Sequence, residues 1–168
     1  MSVLSPRNIQ RVVTLAACLL LVAAQSPART GANVPTPADV IGFAPGEDFN
    51  LVSYAPIAAY FEALAATTDR MVLEKIGEST LGEPLYLAAI SSAENLSGLD
   101  RIKEITRTLA YARDPEGGYG TVLQESRARA LAQEGKAVVW IDGGLHATEV
   151  AHGQVMPEMA YHFVTDES

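Results

Sequence analysis

Apolar residues in this chain fall into stripes and runs separated by glycine- and proline-rich breaks. Ile57, Tyr60, Phe61 and Leu64 recur at the spacing of one helix face, and Pro56 suits that helix's first turn, where a backbone N–H has no intrahelical acceptor. From Met71 to Ser79 the pattern alternates loosely, Val72 and Ile76 against Leu73 and Lys75. The turn Leu81-Gly82-Glu83-Pro84 and the apolar run from Leu85 to Ile90 complete a hairpin, whose second strand is expected to be buried on both faces.

Ser97, with Asp100 three residues later, has the form of a capping box opening a helix whose Leu99, Ile102, Ile105 and Leu109 make a core stripe. Asp114-Pro115-Glu116-Gly117-Gly118-Tyr119-Gly120 breaks that helix. With no strand before it and no Lys-Ser/Thr after it, this is a surface loop and not a phosphate cradle. Thr121 with Gln124 opens another helix, which Gly135 closes.

Ala137-Val138-Val139-Trp140-Ile141 is a continuous apolar run, mostly β-branched or aromatic, and reads as a central strand covered on both faces. A helix over about Thr148 to Phe163 follows. The order strand, helix, helix, strand, helix indicates an α/β fold, a layered mixed sheet flanked by helices, whose ligands bind beyond the carboxyl ends of the strands.

The N-terminal third carries no such pattern. Pro27, Pro35, Pro37, Pro45 and Pro56 recur among Gly31, Gly42 and Gly46, so residues 25–40 read as a Pro-rich lead-in, a linker up to about Pro37. Ile41, Phe43, Phe49, Leu51 and Val52 then suggest an arm packed onto a domain spanning 41–168. Ahead of the lead-in, Arg7 and Arg11 precede thirteen residues, Val12 to Ala24, of which only Thr14 is not apolar. With the small residues Val22-Ala23-Ala24, residues 1–24 have the three parts of a secretory signal peptide, too short for a stable membrane span, and place the protein in the periplasm or outside the cell. Leu15-Ala16-Ala17-Cys18 has the form of a lipid-attachment box, a lesser alternative because the apolar run continues past Cys18.

Composition narrows the chemistry. Of 168 residues 48% are hydrophobic and 19% charged, which excludes a disordered tail, and 20 acidic against 12 scattered basic groups exclude a nucleic-acid partner. The single cysteine permits no internal disulfide and no CxxC site, so any metal must be held by nitrogen and oxygen.

Those donors occur immediately after the apolar run, in Asp142-Gly143-Gly144-Leu145-His146-Ala147-Thr148-Glu149. An imidazole and a carboxylate three residues apart in a turn entering a helix can converge on one ion. Zinc accepts both, and the pair supplies two of the three protein ligands that a catalytic site needs. Gly143 and Gly144 let the backbone turn sharply and leave room for a substrate, and Asp142 is a candidate partner for the His146 ring or a helix cap. A local triad His146-Glu149-His152 is disfavoured, because successive i+3 steps climb roughly 9 Å along a helix. His162 is expected to be a half-exposed helix residue. Neither HExxH nor HxxEH is present.

Gly82-Glu83-Pro84-Leu85-Tyr86 resembles the hairpin, and Trp140 to Glu149 the first metal motif, of the zinc carboxypeptidases of the carboxypeptidase A type, the M14 metallopeptidases. The resemblance runs from about Ile41 to Ser168. It implies a peptidase that hydrolyses the C-terminal bond of peptides and proteins, with Zn2+ held by His146 and Glu149. It also implies a second zinc histidine, an arginine gripping the substrate carboxylate, a closing tyrosine and a glutamate general base, all expected beyond Ser168. The chain accordingly reads as the N-terminal part of a domain on the order of 250–300 residues, expected to be inactive by itself. Two alternatives share these residues: a zinc deacylase of the aspartoacylase type, which also uses HxxE, and a non-catalytic secreted binding domain.

Overall fold

A computed structural model describes residues 34–114, 116, 117 and 120–166. Residues 1–24, expected from the sequence to be a signal peptide, lie with Cys18 outside the described residues.

Helix α1 (Pro37–Ile41) is a single short turn fixed by a reciprocal cap. Thr36 Oγ1 accepts the Asp39 backbone N–H at 3.3 Å, while the Asp39 carboxylate accepts the Thr36 backbone N–H at 2.8 Å. Pro37 is buried, and Val34 and Ile41 pack on the main core. Residues 34–37 are thus part of the packed body, which corrects the linker expectation there. A two-sided cap and a buried proline ring outweigh proline's tendency to interrupt helices.

Helix α2 (Tyr54–Thr67) carries the expected face: Tyr60 and Leu64 are fully buried, with Ile57 and Phe61 partly so. Pro56 sits in its first turn, where no hydrogen bond is lost. Strands β1 (Met71–Glu78) and β2 (Pro84–Ile90) form an antiparallel hairpin with Met71 opposite Ile90 and Glu78 opposite Pro84. A bulge between Lys75 and Gly77 shifts the register, and Val72 and Ile76 point outward while Met71 and Leu73 face the core. The turn is tied by Ser79, whose backbone N–H bonds the Glu83 carbonyl at 2.8 Å and whose Oγ accepts the Glu83 N–H at 3.1 Å.

β2 is half-buried instead of covered on both faces, and Leu85 is exposed. Among the described residues the sheet has only two strands, with α2 on one side. Helix α3 (Ala93–Ser97) then leads through Gly98 into α4 (Leu99–Tyr111). Ser97 does not cap α4; its hydroxyl donates to the Glu94 carbonyl at 2.6 Å, and Ser92 caps α3 through the Asn95 N–H. The stripe survives, with Ile105 buried and Leu99, Ile102 and Leu109 partly buried. Helix α5 (Glu125–Glu134) packs on α4, Leu131 and Ile105 are buried, and Gly135 ends the helix by donating to the Leu131 carbonyl at 2.8 Å. Gln124 is its cap residue without a side-chain hydrogen bond, and the Thr121 hydroxyl turns back to the Gly117 carbonyl.

Residues 137–141 do not form the expected central strand. No ladder partner lies beside them among the described residues, and Val138, Val139 and Trp140 are 66, 79 and 68% exposed. An apolar run supplies side chains for a strand but not the neighbouring backbone that makes one. The arrangement is therefore mixed helix with a small antiparallel sheet, in keeping with an α/β class, and the layered sheet is not formed by the described residues. Helix α6 (Val150–Thr165) completes the fold and packs on α1, α2 and β2. Tyr60, Leu64, Met71, Ala160 and Val164 make the shared core. The arm at 41–53 is anchored to α6 by Val52, whose N–H and C=O pair with the Gln154 amide, both at 2.9 Å; Phe49 and Leu51 project outward.

Candidate metal centre

The chain leaves Gly135 in extended conformation, turns at residues 145–148 and enters α6 with Glu149 as its cap residue. Two glycines shape this turn for different reasons. Gly144 has φ of 73°, a left-handed conformation that a side chain resists. Gly143 lies directly against α6: a Cβ there would stand 2.8 Å from the His152 carbonyl oxygen and 2.9 Å from Met156 Cγ and Sδ. The space around Gly143 is filled by the helix, which corrects the expectation that it is kept for substrate.

His146 and Glu149 are brought together. Imidazole Nδ1 is 2.8 Å from Glu149 Oε1, and Glu149 Oε2 accepts the His146 backbone N–H at 3.0 Å. That backbone N–H, then the ring, then the more distant His152, hold the Glu149 carboxyl below the usual glutamate range, so it is ionised at neutral pH. The His146 side chain is 74% exposed and that of Glu149 31%, so the pair is open to an incoming ion.

The donor set suits zinc. Two donors each about 2.0–2.2 Å from a tetrahedral ion stand roughly 3.3–3.6 Å apart, an opening of under about 1 Å from the present contact. His152 Nδ1 is 3.7 Å from Glu149 Oε2, beyond hydrogen-bond length. Among the described residues no group of three His, Cys, Asp or Glu side chains is placed to hold one metal. His162 is exposed beside Glu158, as expected. Asp142 does not meet His146: its carboxylate accepts the Trp140 indole N–H at 3.1 Å. Trp140 lies two residues before Asp142, a local pairing that periodicity does not reveal.

A separate groove of about 570 Å³ lies between the arm and α6, lined by Phe49, Leu51, Val150, Val155 and Glu158. At 3.6 residues per turn those α6 positions lie on the opposite side of the helix from Glu149, His152 and Met156, so the groove is not part of the candidate centre.

A histidine and an ionised carboxylate presented at a helix start, in a mixed helix and sheet protein, define a candidate metal site of the kind metallohydrolases use. Residues 57–168, about two thirds of the chain, match the zinc carboxypeptidases, peptidase family M14, and the chain belongs to that family. No curated protein and no solved structure matches it. No helix among the described residues is long and apolar enough to cross a membrane.

Proposed function

We propose that the protein is an exported zinc carboxypeptidase that releases C-terminal residues from peptides, with His146 and Glu149 as two of its zinc ligands. The observation that carries this reading is the convergence of an exposed imidazole and an ionised carboxylate within 2.8 Å, inside a segment matched to that family. A bound zinc ion polarises a scissile carbonyl and lowers the pKa of its water from 15.7 towards about 7.

This chain's own residues hold and orient. Glu149 supplies charge and is aimed by the His146 N–H; His146 presents its ring on the solvent side; Gly144 makes the turn that allows both. The third ligand and the general base lie outside the set that the described residues bring together.

The test is made on the protein encoded by the complete reading frame. Equimolar zinc by elemental analysis, together with release of the last residue from free but not C-terminally amidated peptides, is the expected result. Absence of zinc overturns the metal centre. Equal cleavage of amidated peptides overturns the exopeptidase assignment, and turnover of small N-acyl amino acids alone favours the deacylase alternative.

A further inference from the structure

We infer that Gly143 is a positioning residue for the His146–Glu149 pair, with Met156 and the His152 carbonyl as the surface it rests on. This rests on the proposed zinc-holding role of that pair. Gly143 is three residues before His146, while His152 and Met156 are three and seven residues after Glu149. Contact between Gly143 and α6 therefore closes a loop that contains both donors, and the width of that closure sets how Nδ1 faces Oε1.

The closure has no slack for a side chain. A Cβ at Gly143 would come within 2.8 Å of a main-chain oxygen inside α6 and within 2.9 Å of two Met156 atoms. Met156 can swing away because its side chain is unbranched. The His152 carbonyl moves only with the helix backbone, so the strain passes to the turn instead. The neighbouring glycines contrast with this. A Cβ at Gly144 would meet Glu149 O at 3.6 Å, ordinary contact, so its requirement is conformational, and one at Gly153 would meet nothing within 4 Å.

The experiment compares Gly143→Ala, Met156→Ala, the double variant and Gly153→Ala in the full-length protein. Zinc affinity is measured against a chromophoric chelator, and the backbone amide shift of His146 is measured without metal. Groups that orient a metal ligand without binding the metal are worth roughly 10–100-fold in affinity. Gly143→Ala is expected to lose at least about 10-fold and to move the His146 amide, Gly153→Ala to do neither, and the double variant to keep most of the loss, because the His152 carbonyl stays in place.

Zinc affinity of Gly143→Ala within about twofold of the unsubstituted protein, with the His146 amide unmoved, overturns the inference. Should Gly143→Ala not fold, the double variant is compared with Met156→Ala: weaker binding by the double supports the inference and equal binding overturns it. Failure of the unsubstituted protein to bind zinc is a separate result that overturns the proposed metal centre, while the metal-free amide shift still decides whether Gly143 positions the turn.

Discussion

Glu149 grips His146 at two points, accepting its backbone N–H through Oε2 at 3.0 Å and facing its ring Nδ1 through Oε1 at 2.8 Å. One carboxylate thus orders the turn and offers charge to an ion. Glu149→Gln keeps the shape and removes the charge. Since groups outside the ligand set are worth roughly 10–100-fold, loss of a ligand charge is expected to weaken zinc binding by at least about 100-fold. Equilibrium dialysis of the variant checks this, and unchanged occupancy would remove Glu149 from the centre.

The same contacts set a pH dependence for the metal-free protein. The Glu149 carboxyl is depressed below its ordinary value of 4.5, so its contribution to the turn is fully present above that value and is lost as pH falls through the lower folded-state value. The His146 amide resonance is expected to report this loss in an acid titration below about pH 4.5, where the ordinary glutamate range begins. In Glu149→Gln the step should vanish; a persistent step would assign it to another group.

Much of this frame was legible from spacing alone. Tyr60 and Leu64, the hairpin turn at Gly82 and the Gly135 stop follow from local chemistry, because each depends on residues within a few positions. The HxxE pair was legible for the same reason. What failed depended on neighbours that sequence order does not display. Val138 to Ile141 lack a ladder partner among the described residues, Ser97 bonds backward to Glu94 and not forward, and Asp142 is taken by Trp140. The Gln154 clamp on Val52, 102 residues away, left no periodic trace at all.

That clamp supports a prediction of its own. Gln154 completes both main-chain hydrogen bonds of Val52 in a partly buried setting. Gln154→Leu keeps similar bulk and leaves that N–H and C=O without their partners, at about 1–3 kcal/mol for a buried group left unsatisfied. Hydrogen exchange should show the Val52 amide deprotected first, before α2 and β1. Unaltered exchange there would mean that the arm is held by Val52 packing alone.

Tyr60 separates packing from polarity in the core. Its ring is fully buried among Leu64, Met71, Ala160 and Val164, and burial pushes its phenol well above the usual tyrosine value, so it stays neutral. Its hydroxyl reaches the Pro35 carbonyl at 3.3 Å, long for an O–H···O bond. Tyr60→Ala is expected to cost about 3–5 kcal/mol in urea denaturation, as for other large aromatic truncations. Tyr60→Phe should cost about 1 kcal/mol or less. A Phe variant as damaged as the Ala variant would place the stabilisation in the Pro35 contact instead of the ring.

The residues of the uncovered run Val138-Val139-Trp140 are 66, 79 and 68% exposed, with no strand beside them among the described residues. Unpaired N–H and C=O groups flanked by β-branched residues are a template for pairing between chains, and lysine is the residue that natural edges use to prevent it. The 168-residue chain is therefore expected to self-associate, with Val139→Lys slowing the process and leaving the melting temperature unchanged, since Val139 makes no buried contact to lose. Light scattering reads association, and Trp140, the chain's single tryptophan, reads coverage of the segment through quenching by a soluble quencher. Association that is unaffected by Val139→Lys, with Trp140 still freely quenched in the aggregate, would move the sticky surface elsewhere, to the outward-facing Phe49 and Leu51 of the arm.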